Sequence, residues 1–144
     1  MKTQIWWNSW TLVLCIAGQS AFAAVATNDA TKPASPPPKV VVRVGVDEFE
    51  RLSHDNNNLV LDVRTKKEFE NGHIRGALNF DVNAPDFEQK VGSLQKDKLY
   101  LVHCAAGVRG AKACDKMSKL GFLHLVDLAP GFRGWEKAGK PVEK

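Results

Sequence analysis

The chain has 144 residues, of which 44% are hydrophobic and 25% are charged. This length and composition predict one globular domain and exclude a disordered or fibrous protein. The formal net charge of +4 comes without a Lys/Arg run or interleaved aromatic residues, so the sequence gives no case for nucleic-acid binding.

Residues 1–23 have the pattern of a secretory signal peptide. Lys2 is followed by a short apolar core, and the segment ends in Ala-Phe-Ala at 21–23, a small-x-small pattern that signal peptidase cleaves. We predict cleavage after Ala23 and a periplasmic or secreted mature protein that is not held in a membrane. One alternative is an uncleaved anchor, which the short apolar core disfavours. The other is a lipoprotein attached at Cys15, which the large leucine before that cysteine disfavours.

Residues 24–39 are predicted to form a proline-rich linker. They mix small, polar and proline residues without an apolar period, so they bury too little surface to offset the entropy lost on ordering. The prolines at 36–38 would keep the end of this linker extended and stiff. The folded domain is therefore expected to cover residues 40–144.

Short apolar and β-branched runs alternate with helical segments through this domain. Each run is a few residues long and largely apolar, as parallel strands covered on both faces require. We predict an α/β fold with a mostly parallel, five-stranded sheet and helices on both faces. The predicted strands are residues 40–44, 59–63, 77–80, 99–103 and 123–128.

The helices between the strands carry recognisable boundary signals. Asp47 with Glu50, and Thr65 with Glu68, have the spacing of capping boxes that begin short helices. Further helices are predicted at 85–95, at 108–120 with Gly121 at the C-terminal cap, and around Trp135.

The residues with the clearest chemistry follow the fourth predicted strand. Ligands collect at the carboxyl ends of strands in open α/β sheets, and a loop of small residues before a helix leaves backbone N–H groups free to face an anion. The helix dipole and the charge of Arg109 favour the thiolate of Cys104, which is the nucleophilic form. We predict Cys104 as the catalytic residue. The predicted substrate-binding residues are Ala105, Ala106, Gly107, Val108 and Arg109.

The length of the loop bears on which anion it holds. Tyrosine phosphatases and related arsenate reductases have their arginine six positions beyond the cysteine, and that larger ring surrounds a tetrahedral anion. Here Arg109 is five positions beyond Cys104, and the sixth position is Gly110. A small-anion phosphatase or arsenate reductase is therefore the less favoured alternative.

With this loop and its surrounding motifs, the chain resembles the single-domain rhodaneses. The loop at 104–109 is similar in length to that family's active-site loop. Gly110 stands where many members have a hydroxyl residue, and Pro130 stands where many have the first glycine of a pair. The other similar stretches are LVLDVR at 59–64, EF at 68–69, GHI at 72–74, GALN at 76–79, GW at 134–135 and AGKPV at 138–142.

The resemblance implies a sulfurtransferase that works by double displacement. Cys104 would take sulfane sulfur from a small anionic donor such as thiosulfate, carry it as a persulfide, and pass it to a thiophilic acceptor. Cyanide, a small thiol or a protein thiol fits that acceptor, and the resemblance implies no metal ion and no organic cofactor. The alternative from another class is a non-catalytic binding or sulfur-delivery module. The intact Cys104 and Arg109 argue against it, because modules of the family that only bind often lack the cysteine.

Asp62, Arg64 and His103 are candidates for supporting roles. Asp62 and Arg64 end the second predicted strand at the same sheet edge as the loop, and we interpret them first as a structural ion pair. His103 could tune Cys104 through a hydrogen bond or be a satisfied core residue, and Cys114 is interpreted as a small core residue rather than a resolving thiol. The remaining interpretations are His73 as a turn residue, Arg133 as a solvated surface arginine and Trp135 as a hydrophobic plug.

Overall fold

The computed structural model describes residues 39–144. The predicted signal peptide and nearly all of the predicted linker lie outside the described residues and stay predictions. Within residues 39–144, no helix is both long enough and apolar enough to cross a membrane.

The strands are β1 (Val40–Val44), β2 (Leu59–Asp62), β3 (His73–Ile74), β4 (Leu78–Asn79), β5 (Leu99–His103), β6 (His124–Leu128) and β7 (Val142–Glu143). The helices are α1 (Val46–Ser53), α2 (Lys66–Glu70), α3 (Phe87–Gly92), α4 (Val108–Lys119) and α5 (Gly131–Lys137).

Five strands form one parallel sheet in the order β1-β6-β5-β2-β4. Their residues are mainly apolar and β-branched because both faces of the central strands are covered. The predicted α/β fold with a five-stranded sheet is confirmed. Three predicted strands are shorter than expected: the second ends at Asp62, the third covers only Leu78–Asn79, and the fifth begins at His124.

Two apolar clusters pack on opposite faces of this sheet. One is built by α3 and α4 through Phe87, Val91, Ala113, Cys114 and Met117. The other is built by α1 and α5, and it includes Phe49, Phe132 and Trp135. Helices on both faces are therefore confirmed.

Two of the predicted helix boundaries are confirmed. At α2, the Thr65 hydroxyl accepts the backbone N–H of Glu68 at 3.3 Å, and the Glu68 carboxylate accepts the backbone N–H of Thr65 at 3.1 Å. At the end of α4, Gly121 has φ +95°, and the N–H of Phe122 donates to the carbonyl of Met117. These bonds satisfy backbone groups that the helix ends would leave free.

The predicted capping box of α1 is wrong. The helix begins two residues earlier than that spacing implied, with Gly45 at the N-cap and no side-chain cap. The Lys140 ammonium lies 3.2 Å from Asp47 and 2.6 Å from Glu50, so both carboxylates bind a cation from the C-terminal segment.

A second, two-stranded sheet was not predicted. β3 and β7 pair antiparallel, with His73 opposite Glu143 and Ile74 opposite Val142. His73 therefore lies in a strand, and its interpretation as a turn residue is wrong. This pairing fastens the C-terminus to the segment that follows α2.

Candidate active site

Cys104 directly follows β5, at the carboxyl edge of the parallel sheet. Its side chain is almost fully buried, and the backbone N–H of Gly107 donates to its Sγ at 3.1 Å. The sulfur therefore lies beneath its own loop, with an amide aimed at it and the first turn of α4 immediately after it. Such donors stabilise negative charge on a sulfur atom.

The loop backbone is fixed from the other side by the start of α5. The N–H of Phe132 donates to the carbonyl of Cys104 at 2.6 Å, and the N–H of Arg133 donates to the carbonyl of Ala105 at 3.0 Å. Gly131 makes this approach possible, because a Cβ there would lie 2.6 Å from the Ala106 nitrogen. With its carbonyls held by α5, the loop is free to turn amides toward the sulfur.

Arg109 does not stand alone at the end of the loop. Its Nη1 and Nη2 donate to the two carboxylate oxygens of Glu68 at 2.8 and 2.7 Å. This pairing is the main reason that the pKa of Glu68 falls from 4.5 to about 2. The guanidinium charge that the sequence places near Cys104 is therefore shared with a carboxylate from α2.

A prediction follows for the pair formed by Glu68 and Arg109. Because the pKa of Glu68 is lowered on folding, the pair stabilises the fold fully above pH 4.5 and loses that contribution as the pH falls through about 2. Glu68→Gln keeps the capping-box geometry, and it should cost about 0.5–1 kcal/mol at pH 7, since the pair is partly exposed and screened. Urea unfolding at pH 7 and pH 2.5 measures the difference.

The matched control is Glu70→Gln on the same helix, where the carboxylate lies 3.6 Å from an exposed Lys66. It should change stability little at either pH. If the loss of unfolding free energy in Glu68→Gln were the same at pH 7 and pH 2.5, the charge of the Glu68 carboxylate would not contribute to the stability of the wild type.

Asp62 and Arg64 form the predicted ion pair, and both side chains are buried. The Arg64 Nη2 lies 2.5 Å from Asp62 Oδ2 and also donates to the carbonyl of Gly72 at 2.7 Å. The guanidinium carbon stacks 4.0 Å from the centre of the Phe132 ring. The pair therefore braces the second strand against α5, which holds the loop of Cys104.

His103 fits neither interpretation made from the sequence. It is fully buried, yet neither ring nitrogen has a hydrogen-bond partner among the described residues. Burial is the main cause that lowers the pKa of His103 to about 4, so the ring is uncharged at neutral pH. Its Nε2 lies 3.7 Å from Asp62 Oδ2, beyond hydrogen-bond range. The ring packs edge-on to Phe49 and stacks on Phe132.

A cavity of about 260 Å³ opens beside the loop. Ala105 lines it, and Cys104 does not. Arg133 lies on the rim and is solvent-exposed, so it is a surface arginine that adds positive charge at the mouth. The other lining residues are Arg64, Glu68, Asn71, Gly72, Phe132 and Glu136.

The remaining loop residues differ in exposure. Ala106 faces solvent and Val108 is 79% exposed, whereas Gly107 is buried with φ +85°. Gly110, at the sixth position, lies directly over Asp127: a Cβ there would come 2.3 Å from Asp127 Oδ1. A side chain at that position would displace the Asp127 carboxylate, which adds to the argument against a phosphatase-like ring.

The second cysteine and Trp135 are core residues. Cys114 is buried on α4, and burial, with a smaller contribution from Asp127, raises its pKa to about 12. It is therefore a neutral thiol at physiological pH. Trp135 is buried, and its Nε1 donates to the carbonyl of Pro141 at 2.9 Å. Among the described residues, no three His, Cys, Asp or Glu side chains converge as a metal site.

Sequence reasoning missed three residues near the loop. Glu68 was assigned to the capping box and to a motif of the family but not to the site, and Arg43 and Asp127 were not singled out. Arg43 Nε lies 2.9 Å from Asp127 Oδ2, and Arg43 Nη2 donates to the carbonyl of Gly107 at 3.4 Å. The only hint of this pair in the sequence is an aspartate within an otherwise apolar predicted strand. Its partner arginine is 84 positions earlier in the chain, so the pairing itself could not be predicted.

Comparison with known proteins agrees with this geometry. The family model of the rhodanese-like domain matches residues 45–138. The protein HIGH ARSENIC CONTENT 1, mitochondrial, of Arabidopsis thaliana is 37% identical over 94 residues, which are 58% of this chain and 56% of that protein. Thiosulfate sulfurtransferase 16, chloroplastic, of the same plant is 35% identical over 94 residues, which are 58% of this chain and 78% of that protein.

A solved structure gives the same result for the fold. The rhodanese-related protein of Thermoplasma volcanium superposes with a TM-score of 0.63 at 31% identity, over 71% of this chain and 97% of that one. Residues 45–138, which the family model matches, include the loop, Glu68 and the ion pair of Asp62 and Arg64. The chain therefore belongs to the family of rhodanese-like domains, which is associated with sulfur transfer.

Proposed function

We propose that this protein is a thiosulfate sulfurtransferase in which Cys104 carries the transferred sulfur. One observation carries the proposal: the backbone N–H of Gly107 lies 3.1 Å from the Cys104 sulfur, at the start of α4. A thiolate, and then a persulfide, placed there has a fixed donor for its negative charge. The name of the relative that is 35% identical supports thiosulfate as the donor.

The first half-reaction is a displacement at sulfur. The Cys104 thiolate attacks the outer sulfur of thiosulfate, a bond forms between Sγ and that sulfur, and the S–S bond of thiosulfate breaks. Sulfite leaves with the bonding electron pair. Arg133 on the rim of the cavity, with Arg64 in its lining, supplies positive charge on the path of the incoming dianion.

The second half-reaction returns the enzyme to its thiolate. A nucleophilic acceptor, cyanide or a thiolate, attacks the outer sulfur of the persulfide, and Cys104 leaves as the thiolate. The products are thiocyanate or the persulfide of the acceptor, and no electrons enter or leave the system. A protein thiol is also a suitable acceptor, since Val108 and Ala106 are exposed at the loop surface.

Mass spectrometry tests the proposal directly. Incubation with thiosulfate should add one sulfur, about 32 Da, to Cys104 and release sulfite stoichiometrically. Cys104→Ser should gain no mass, and the matched control Cys114→Ala should load like the wild type, because that thiol is buried and protonated. An unchanged mass in the wild type, or equal loading of Cys104→Ser, would overturn the proposal.

Arsenate reduction is the second candidate, and one observation favours it. The relative that is 37% identical carries a name referring to arsenic content. Against it, Arg109 is bound by Glu68, and a side chain at the position after it would displace the Asp127 carboxylate. Arsenate incubated with the protein and glutathione should therefore give no arsenite above the Cys104→Ser background.

The location outside the cytoplasm also remains our proposal. The apolar segment and the Ala-Phe-Ala tripeptide at 21–23 support export to the periplasm or medium, with cleavage after Ala23.

A further inference from the structure

An ion pair between a half-exposed arginine and a buried aspartate lies beside the loop that carries Cys104. Arg43 on β1 and Asp127 on β6 are register partners in the parallel sheet, so the ladder itself sets them side by side. Arg43 Nε lies 2.9 Å from Asp127 Oδ2, and the Asp127 side chain is 1% exposed. Both side chains point to the sheet face that α4 covers, since Asp127 lies against Gly110.

Asp127 is held mainly by the charge of Arg43. Neither carboxylate oxygen has a well-aligned hydrogen-bond donor among the described residues. Burial raises the pKa of Asp127, and the charge of Arg43 offsets part of that rise. A lone buried carboxylate is costly to a fold, so an ionised Asp127 depends on the guanidinium beside it.

The pair reaches the reacting sulfur in two steps. Arg43 Nη2 donates to the carbonyl of Gly107, and the N–H of the same Gly107 donates to Cys104 Sγ. Gly107 therefore links the guanidinium to the sulfur, through its carbonyl on one side and its N–H on the other. Asp127 fixes the guanidinium from below, and it also supports the first turn of α4 at Gly110.

We infer that Arg43 and Asp127 are positioning residues for sulfur transfer: the carboxylate holds the guanidinium, and the guanidinium holds Gly107 so that its amide faces Cys104. The inference rests on the proposed function. It assigns a role to two side chains that do not touch the substrate and do not line the cavity beside the loop.

The test uses the full-length protein with Arg43→Met, Asp127→Asn and the double variant. The rate of persulfide formation at saturating thiosulfate should fall about 10-fold in each, with a smaller change in KM, because the nucleophile and not the donor site is disturbed. The double variant should be no slower than either single variant, since all three break one chain of contacts. Arg51→Met is the control, because that arginine pairs with Glu48 on the exposed face of α1.

Urea unfolding separates positioning from stability. Arg43→Met should be destabilised because it leaves Asp127 unpaired, whereas Asp127→Asn and the double variant bury no charge and should keep near wild-type stability. Slow transfer in these two stable variants supports the inference. The inference is overturned if transfer is slow only in the destabilised Arg43→Met variant and the double variant transfers sulfur at the wild-type rate.

A second readout does not require the correct sulfur donor. Alkylation of Cys104 by iodoacetamide at neutral pH should slow in the same three variants, because the sulfur loses the amide that stabilises its negative form. If the wild type takes no sulfur from thiosulfate, the proposed function fails, while alkylation still decides the role of the pair. Alkylation rates equal to wild type in Asp127→Asn and the double variant overturn the inference.

Discussion

Arg64→Met is expected to lower the free energy of unfolding by about 3–5 kcal/mol, because it leaves the Asp62 carboxylate buried without its partner charge. The wild-type guanidinium is 5% exposed and contacts that carboxylate at 2.5 Å. The same substitution removes the hydrogen bond to Gly72 and the stacking on Phe132. Urea unfolding followed by circular dichroism measures the loss.

The matched control is Arg75→Met. That guanidinium is 82% exposed and lies 3.3 Å from Glu143, so its loss should cost less than about 1 kcal/mol. Combining Arg64→Met with Asp62→Asn should recover part of the lost stability, because no charge then remains buried. Equal losses for Arg64→Met and Arg75→Met would show that the buried pair does not brace the fold.

The parts of the fold that the sequence predicts are those decided by local pattern. The runs at 40–44 and 99–103 are mainly apolar, and the structure gives both strands with the predicted bounds. The helix α4 follows from a regular apolar stripe, and Thr65 with Glu68 marks the start of α2 with residues only three apart.

The parts that could not be predicted depend on contacts between distant segments. The pairing of β3 with β7 joins residues about 70 positions apart, and each strand is too short to carry a periodic signal. The box expected at Asp47 and Glu50 fails for the same reason, since Lys140 binds both carboxylates.

The candidate site divides in the same way. The loop at 104–109 is one contiguous motif, so its chemistry can be read from adjacent residues. The partner of Arg109 is Glu68, 41 positions earlier, and nothing in either segment alone indicates that contact. His103 also differs from expectation, because its polarity suggested a hydrogen bond where the structure places it among aromatic rings.

Gly107→Ala is expected to have the largest effect on the loop. A Cβ at this residue would lie 2.0 Å from the carbonyl oxygen of Ala129 and 2.9 Å from Arg43 Nη2. Its φ of +85° adds a backbone cost of about 1–2 kcal/mol for any residue with a side chain. We expect a total loss of at least about 3 kcal/mol in unfolding free energy, and sulfur loading of Cys104 slower by about 100-fold.

Gly139→Ala separates the two contributions to that loss. Gly139 has a similar φ of +68°, but a Cβ there would meet no atom within 4 Å. Gly139→Ala should therefore lose only the backbone contribution of about 1–2 kcal/mol in unfolding free energy, and its Cys104 should take up sulfur at the wild-type rate. The difference between the two losses of unfolding free energy measures the steric cost of a Cβ between the loop and the turn that follows β6. If both lose the same stability and Gly107→Ala still loads normally, the amide of Gly107 is not what holds the sulfur.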